Sequence, residues 1–184
     1  MKIVELRRHA ERDANEDLTE AGRAQCALAR GSLEFPYDAY YVSPAKRARL
    51  TMAAFGVTQA SVEERLGPRP RPPFAPFERR HEDLLNEGLD AVTAWFAIRE
   101  ALPLLLAHGR EVAGGVRDIA DKLTDGGRAL AVSHGGTIEP FAVAVTGRPY
   151  EHLFGYELAY CEGVRGSLRG LDVVRIDVVR LPPP

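Results

Sequence analysis

The stretch LRRHAERDANEDLTEAG, residues 6–22, joins the end of a short apolar strand to the start of a helix. The strand is predicted at Lys2–Leu6, and Thr19 is placed to cap the free N–H groups of the helix. Two arginines and His9 directly follow the strand, and His9 is the one side chain in the polar turn whose unperturbed pKa is close to neutral. Such a turn at a strand end can hold an anion, although a solvated, charged turn would look the same.

The composition is typical of a globular protein with one domain. The chain has 184 residues, of which 45% are apolar and 27% charged, and this length can bury a sizeable core. We therefore predict a single domain over residues 1–184. The 24 Lys and Arg against 26 Asp and Glu give a formal net charge of −2, which argues against a nucleic acid or a membrane surface as partner.

The two cysteines, Cys26 and Cys161, are too few for a disulfide framework or a cysteine metal site. The start of the chain has no apolar signal core, because charge returns at Glu5. We therefore expect a reduced, cytoplasmic location.

Short apolar runs alternate with helical patterns along the chain. This predicts an α/β fold of three layers, with a mostly parallel central sheet and helices on both faces. The predicted strands are Lys2–Leu6, Asp38–Val42, Val57–Val62, Arg128–Val132 and Leu171–Leu181. The first predicted helix begins at 18–20, and the other predicted helices cover Ala45–Phe55, 78–107, 110–123 and Thr137–Thr146. Five prolines in GPRPRPPFAPF, residues 67–77, predict an extended loop.

Polar residues follow three of the predicted strands directly. Arg8 and His9 follow the first strand, SPAKR at 43–47 follows the second, and SHGGT at 133–137 follows the strand RALAV. In an open parallel sheet these strand ends lie at one edge, where ligands bind. The two glycines of SHGGT let the backbone approach closely, and the helix N-terminus after them offers free N–H groups to an anion. Guanidinium groups, imidazoles and a helix end together favour a phosphoryl group.

These motifs resemble those of the histidine phosphatase superfamily, which shares its fold with the cofactor-dependent phosphoglycerate mutases. The matching segments occur in the order of the family and extend over most of the chain, except for the proline loop and the C-terminal tail. They are LRRHAE at 6–11, Asn15, LTEAGRAQ at 18–25, SPAKRARLT at 43–51 and AVSHGGTIEPF at 131–141. The resemblance implies a phosphoglycerate mutase-like fold and a phosphatase that forms a phosphohistidine intermediate.

The resemblance also implies a role for each matching residue. His9 matches the nucleophile, and His134 matches the second histidine, which hydrogen-bonds the phosphoryl group. Asn15 matches a polar residue that often contacts phosphate, although an asparagine in a turn is equally compatible. The implied phosphate-binding residues are Arg8, Asn15, Arg47, His134 and Gly135.

A mechanism follows from these groups. Neutral His9 attacks phosphorus in line while a general acid protonates the leaving oxygen and later activates water. Arg8, Arg47 and a protonated His134 neutralise the charge on the phosphoryl oxygens, so neither a metal nor another cofactor is expected. Arg7 should point to the other side of the strand, so its replacement should leave the rate nearly unchanged.

The sequence offers several candidates for the general acid. Members of the family often have a glutamate two residues after an Arg-Leu pair, but here Gly67 and Pro68 follow that pair. Four glutamates flank the proline loop instead: Glu63, Glu64, Glu78 and Glu82. We choose Glu64 because it is near a predicted strand end. Some small phosphohistidine phosphatases also lack an obvious acid at this place, and a phosphohistidine leaving group needs less proton assistance than an alcohol.

Three functions are compatible with the sequence. A hydrolase acting on a phosphomonoester or a phosphohistidine is favoured. A mutase is disfavoured because it must shield phosphohistidine from water, and the one obvious candidate lid is the loop at 67–80. A non-catalytic phosphate-binding module is suggested by Ala10, which replaces the usual glycine of the family, but such a module would have little reason to keep all four core residues.

The expected partner is a small phosphorylated substrate or a phosphohistidine protein, bound by a monomer or a homodimer. The identity of the substrate does not follow from the sequence. Candidate contacts in the loop are Phe74, Phe77, Arg79 and Arg80.

Overall fold

A six-stranded sheet runs through the protein in the computed structural model, which describes residues 1–182. The sheet has the order β3-β2-β4-β1-β5-β6, and β5 alone runs against its neighbours. The mostly parallel sheet is therefore confirmed. Its strands are β1 (Lys2–Arg8), β2 (Ala39–Val42), β3 (Ser61–Val62), β4 (Arg128–Ser133), β5 (Gly163–Arg169) and β6 (Asp172–Val179).

Helices cover both faces of this sheet, as predicted. One face packs against α1 and α2, and the other packs against α5 and α6. None of the helices within residues 1–182 is both long and apolar enough to cross a membrane. The helices are α1 (Glu20–Arg30), α2 (Lys46–Ala54), α3 (Glu78–Asn86), α4 (Ala91–Ala97), α5 (Leu102–Asp121), α6 (Ile138–Thr146) and α7 (Tyr150–Leu153).

The helical region after the proline loop differs from its prediction. The segment 78–107 is broken after α3, where Gly88 takes a φ of 96°, which favours glycine. Asp90 then starts α4 by accepting hydrogen bonds from the N–H groups of Val92 and Thr93. The break predicted between 107 and 110 is absent, because α5 is continuous there.

Two further segments were predicted incorrectly. The proline-rich loop is not extended throughout, since Pro72–Phe77 forms a 3₁₀ helix, and β3 is shorter than the predicted Val57–Val62. Strand β5 was missed altogether. It begins at Gly163, where a Cβ would lie 1.8 Å from the carbonyl oxygen of Leu6, so the glycine permits the close approach of β5 to β1.

A third hydrophobic cluster lies apart from the two faces of the sheet. It joins the 3₁₀ helix, α3, α4 and the start of α5 into a unit, residues 72–105, which we call the helical cap. Its buried members are Phe74, Leu84, Ala94, Ile98, Ala101 and Leu105. The cap therefore has a small core of its own.

The side chains of β1 alternate between the two faces of the sheet. Leu6 packs in the core beneath α5 and α6, while Glu5 and Arg7 point to the opposite face and are both fully buried. Arg7 Nε donates to Glu5 Oε1 at 2.7 Å, and Arg165 Nε donates to Glu5 Oε2 at 2.9 Å. Arg7 thus has a structural role, and Arg8 is left to point the other way.

We expect Arg7→Ala to lower the free energy of unfolding by about 3 kcal/mol, because it removes one partner of a buried ion pair. Chemical denaturation followed by circular dichroism measures this change. The matched control is Arg175→Ala on β6, whose side chain is 70% exposed. Equal stability of the two variants would contradict the structural role of Arg7.

Candidate active site

The carboxyl ends of three adjacent strands, β2, β4 and β1, bring the polar motifs together. The N–H of His9 donates to the carbonyl oxygen of Ser133, and the N–H of Ser43 donates to that of Val132, each at 2.9 Å. The backbone after β1 and after β2 is thereby held against β4. Arg47 forms hydrogen bonds with both His9 and His134, so the three residues meet at one edge of the sheet, as predicted.

The imidazole of His9 is held as one tautomer. Its Nδ1 lies 2.8 Å from the carbonyl oxygen of Ala10, and since a carbonyl only accepts, Nδ1 carries the proton. Its Nε2 then accepts a hydrogen bond of 3.1 Å from Arg47 Nε. Burial lowers the pKa of His9 to about 4, and the charges of Arg47 and Arg8 act in the same direction. The ring is therefore neutral at pH 7, with an available lone pair on Nε2.

His134 is held on the other side of Arg47. Its Nδ1 lies 3.0 Å from Arg47 Nη2, and its Nε2 lies 2.6 Å from Ser43 Oγ. Burial, followed by the charge of Arg47, lowers the pKa of His134 to about 2. His134 is therefore neutral in this arrangement, chiefly because it is buried, and the protonated state expected with a bound phosphoryl group stays a prediction.

Arg8 reaches the site from the end of β1. Its Nη1 donates to the carbonyl oxygen of Leu158 and lies 3.3 Å from Glu157 Oε1, and its guanidinium carbon lies 4.6 Å from the ring centroid of Tyr160. Its Nε has no hydrogen-bond partner within residues 1–182. A Cβ on Gly135 would lie 3.1 Å from this Nε, so the glycine leaves room beside the guanidinium.

Glu139 connects the glycine loop to the segment that holds Arg8. This fully buried carboxylate accepts hydrogen bonds from the N–H of Gly136 at 2.8 Å and from the N–H of Leu158 at 3.2 Å. Burial raises its pKa to about 6. Glu139 therefore fixes two walls of the site relative to each other.

Asn15 does not contact the other predicted site residues. It is exposed, and its backbone N–H donates to Asp13 Oδ1 at 2.8 Å. The next residue, Glu16, forms an ion pair with Arg47 instead. Glu16 has a φ of 65°, an unusual value for a residue with a side chain. The turn therefore presents a carboxylate to Arg47 where an amide was predicted.

The carboxylates flanking the proline loop do not contact the histidines or arginines of the site. Glu64 is exposed and makes no side-chain hydrogen bond or ion pair within the described part of the chain. Glu63 binds Arg65 Nε at 2.6 Å, and this hydrogen bond lowers the pKa of Glu63. Glu78 and Glu82 line a different cleft on the helical cap.

Sequence reasoning missed the two carboxylates that contact the arginines of the site, Glu16 and Glu157. Glu16 adjoins a predicted residue, so its position was a usable signal. Glu157 lies 149 residues from Arg8 along the chain, and no local pattern relates the two.

Over residues 1–182, no group of three or more His, Cys, Asp or Glu is placed to hold a metal ion.

Comparison with known protein families gives a match to the model of the histidine phosphatase superfamily (branch 1) over residues 4–165. The chain belongs to this superfamily. The resemblance in the sequence motifs is thereby confirmed, and so is the phosphoglycerate mutase-like fold, which solved structures of similar architecture also support. No curated protein matches the chain in sequence.

Three solved structures illustrate the shared fold of this superfamily. The chain is 16% identical to phosphoserine phosphatase from Entamoeba histolytica, with a TM-score of 0.68 and 97% of each chain covered. It is 18% identical to a mycobacterial glucosyl-3-phosphoglycerate phosphatase, with a TM-score of 0.68 and coverage of 99% of this chain and 100% of the other. It is 19% identical to a putative α-ribazole-5′-phosphate phosphatase from Escherichia coli, with a TM-score of 0.64 and coverage of 98% and 97%.

We expect the His9 ring in the folded protein to titrate near pH 4 rather than near its usual value of 6.5, because burial and two guanidinium groups oppose its protonation. Long-range ¹⁵N–¹H NMR spectra report the protonation of each ring nitrogen. The urea-unfolded protein is the reference and should titrate near 6.5. A midpoint near 6.5 in the folded protein would contradict the assigned environment.

The same shift in pKa affects stability. Between pH 6.5 and 4 the unfolded chain binds a proton on His9 and the folded chain does not, so stability decreases as the pH falls through this range. The wild-type protein should therefore lose more stability over this range than the variant His9→Asn.

Proposed function

We propose that the protein is a metal-independent phosphatase that hydrolyses a phosphomonoester or a phosphohistidine through a covalent phosphohistidine on His9. The observation that supports this proposal most directly is the state of His9 Nε2. This nitrogen is unprotonated, because Nδ1 carries the proton, and it lies next to Arg47. A neutral imidazole nitrogen beside a phosphate-binding guanidinium is suited to nucleophilic attack on phosphorus.

Substrate binding uses the positive groups around His9. A phosphoryl dianion replaces the contacts that Arg47 makes with two neutral imidazoles, because charge-assisted bidentate bonds are stronger. Arg8 and the backbone at Gly135 provide further donors on the side of β1 and β4. The negative charge of the bound group favours protonation of His134, whose Nδ1 then donates to a phosphoryl oxygen while Nε2 donates to Ser43 Oγ.

In the transfer step, the Nε2 lone pair of His9 forms a bond to phosphorus, and the bond from phosphorus to the leaving oxygen breaks in line. The leaving oxygen takes the bonding electron pair, and the ring of His9 gains positive charge. The carbonyl oxygen of Ala10 stabilises this charge because it accepts the hydrogen bond from Nδ1. Arg8 and Arg47 neutralise the charge on the remaining phosphoryl oxygens.

We assign the proton donor to Glu157 in place of Glu64. Glu157 Oε1 lies 3.3 Å from Arg8 Nη1, and its Oε2 lies 3.3 Å from the N–H of Val92, which lines the cleft beside the glycine loop. The carboxylate thus stands between the phosphate-binding end and the space for a leaving group. After departure of the leaving group, the same carboxylate accepts a proton from the water that hydrolyses the phosphohistidine.

Removal of the nucleophile should stop the reaction. We expect His9→Ala to release no phosphate from para-nitrophenyl phosphate. The wild type should release phosphate from it equally well with and without a chelator. Rapid quenching of the wild type should trap an acid-labile phosphoryl group on His9, identified by mass spectrometry. The exposed His152 provides the matched control, and His152→Ala should remain active. Label on His134, or activity that depends on added metal, would contradict the mechanism.

Loss of the proton donor should matter most for poor leaving groups. We expect Glu157→Gln to slow the hydrolysis of alkyl phosphates by roughly 10²–10⁴-fold and to affect para-nitrophenyl phosphate far less. Steady-state kinetics over a series of leaving groups measure this dependence. Glu64→Gln and Glu16→Gln are the matched variants, and the same dependence in either of them would move the assignment to that residue. If no variant shows it, the favoured substrate becomes a phosphohistidine.

A further inference from the structure

A cleft of about 210 Å³ opens beside the glycine loop of the phosphate site. Gly135 and Gly136 form one end of it, and the helical cap provides the opposite wall with Trp95 and Phe96. Its volume is smaller than the roughly 300–1,000 Å³ of sites for drug-sized ligands. The cleft therefore suits the small organic part of a substrate whose phosphoryl group lies next to His9.

Arg69 lines this cleft and lies between two aromatic rings. Its guanidinium carbon is 4.0 Å from the ring centroid of Phe74 and 3.9 Å from that of Trp95. Burial lowers the pKa of Arg69 to about 10, so the side chain remains a cation at neutral pH. The rings fix the plane of the guanidinium, and they leave its N–H groups free to donate at the edges.

The guanidinium of Arg69 has no carboxylate partner within 4.0 Å and makes no side-chain hydrogen bond over residues 1–182. The buried Arg7 differs, since it binds Glu5, and the partly buried Arg165 and Arg180 each bind a carboxylate as well. A partly desolvated cation without a partner is costly. Arg69 also lines the neighbouring cleft, where the charge of Glu78 partly offsets the effect of burial on its pKa. On the wall beside the glycine loop, its guanidinium can bind a ligand.

A second polar side chain near this wall is His108, whose Nδ1 lies 3.9 Å from Oε2 of Glu111. His108 is 7% exposed, and neither of its ring nitrogens has a hydrogen-bond partner in the described chain. It lies one helical turn after Leu105, which lines the cleft. Burial lowers the pKa of His108, the charge of Glu111 opposes this shift, and the charge of Arg69 acts in the same direction as burial. The net shift favours a neutral ring, and among the described residues that line the cleft Arg69 is the one with a charged side chain.

We propose that Arg69 binds a carboxylate on the leaving group, so that the substrate is a small phosphorylated carboxylic acid. One guanidinium matches the charge and the two oxygens of a carboxylate, whereas a second phosphate would bring more charge than this wall neutralises. The phosphoryl group and the carboxylate would then lie at opposite ends of the substrate. This inference rests on the proposed function, because it places the leaving group relative to His9.

The experiment compares two substrates that differ in this one group. 3-Phosphoglycerate carries a carboxylate where glycerol 3-phosphate carries a hydroxymethyl group. We expect the wild type to prefer 3-phosphoglycerate, and we expect Arg69→Leu to lower its kcat/KM for that substrate by about 10- to 100-fold. The kcat/KM for glycerol 3-phosphate and for para-nitrophenyl phosphate should change less than about twofold, since the lost hydrogen bonds involve a charged group that these substrates lack.

Two further variants separate the ligand contact from other effects. Arg71→Leu is the matched control, because Arg71 belongs to the same loop and its side chain is 87% exposed. It should leave all three substrates unaffected. Arg69→Lys keeps the charge but not the planar fork, and it should restore part of the preference. If Arg69→Leu does not fold, Arg69→Lys and Arg69→Gln provide the comparison.

Binding measurements distinguish the failure of this inference from the failure of the proposed function. Calorimetry on His9→Ala should show tighter binding of 3-phosphoglycerate than of glycerol 3-phosphate, and the additional change Arg69→Leu should remove the difference. If the wild type hydrolyses no phosphate ester but this binding difference is found, the proposed function fails and the carboxylate site stands. Equal binding of the two ligands, or an equal effect of Arg69→Leu on all substrates, would overturn the role of Arg69.

Discussion

The site depends on one guanidinium group that bridges two imidazoles. Arg47 donates to His9 through Nε and to His134 through Nη2. A hydrogen bond donated to a ring nitrogen requires a lone pair on that nitrogen, so this single side chain selects the unprotonated state at both rings. The partners on the far sides of the rings, the carbonyl of Ala10 and the hydroxyl of Ser43, complete the selection. An isolated histidine at the end of a strand would have neither a defined tautomer nor a defined charge.

The central part of the fold and of the site could be predicted because local patterns carry that information. Thr19 caps α1 as expected, with its hydroxyl accepting from the N–H of Gly22 at 2.9 Å. The positions after β1, β2 and β4 follow from the rule that parallel strands end at one edge. Helix α5 shows the limit of local reasoning, because the glycine at 109 suggests an interruption. Its lack of a side chain instead allows contact with α6, where a Cβ would lie 2.2 Å from the carbonyl oxygen of Pro140.

The parts that could not be predicted depend on contacts between distant segments. Strand β5 contains two glycines and two separate arginines, so it lacks the alternation of apolar residues that predicts a strand. Its close approach to β1 requires the glycine at 163. The segment before it supplies Glu157, Leu158 and Tyr160 to Arg8. Nothing in the local sequence of 155–162 indicates these contacts with Arg8. They arise because the strand that follows, β5, pairs with β1 and so brings the segment to the end of β1. Arg69 was hidden for a related reason, because a proline-rich segment gives no periodicity from which to infer burial.

The separate core of the helical cap has a consequence for how this protein can change over evolutionary time. The six buried residues of the cap form one hydrophobic cluster, whereas the histidines and arginines proposed to bind the phosphoryl group are held by the sheet and by α2. Helix α5 joins the two units, since its first turn belongs to the cap and its later turns to the core of the sheet. Mutations in 72–101 can therefore remodel the walls of the cleft while the two histidines keep their partners, except near Asp90 and Val92, which contact Glu157. The same division makes this segment a natural unit for transplantation between related scaffolds.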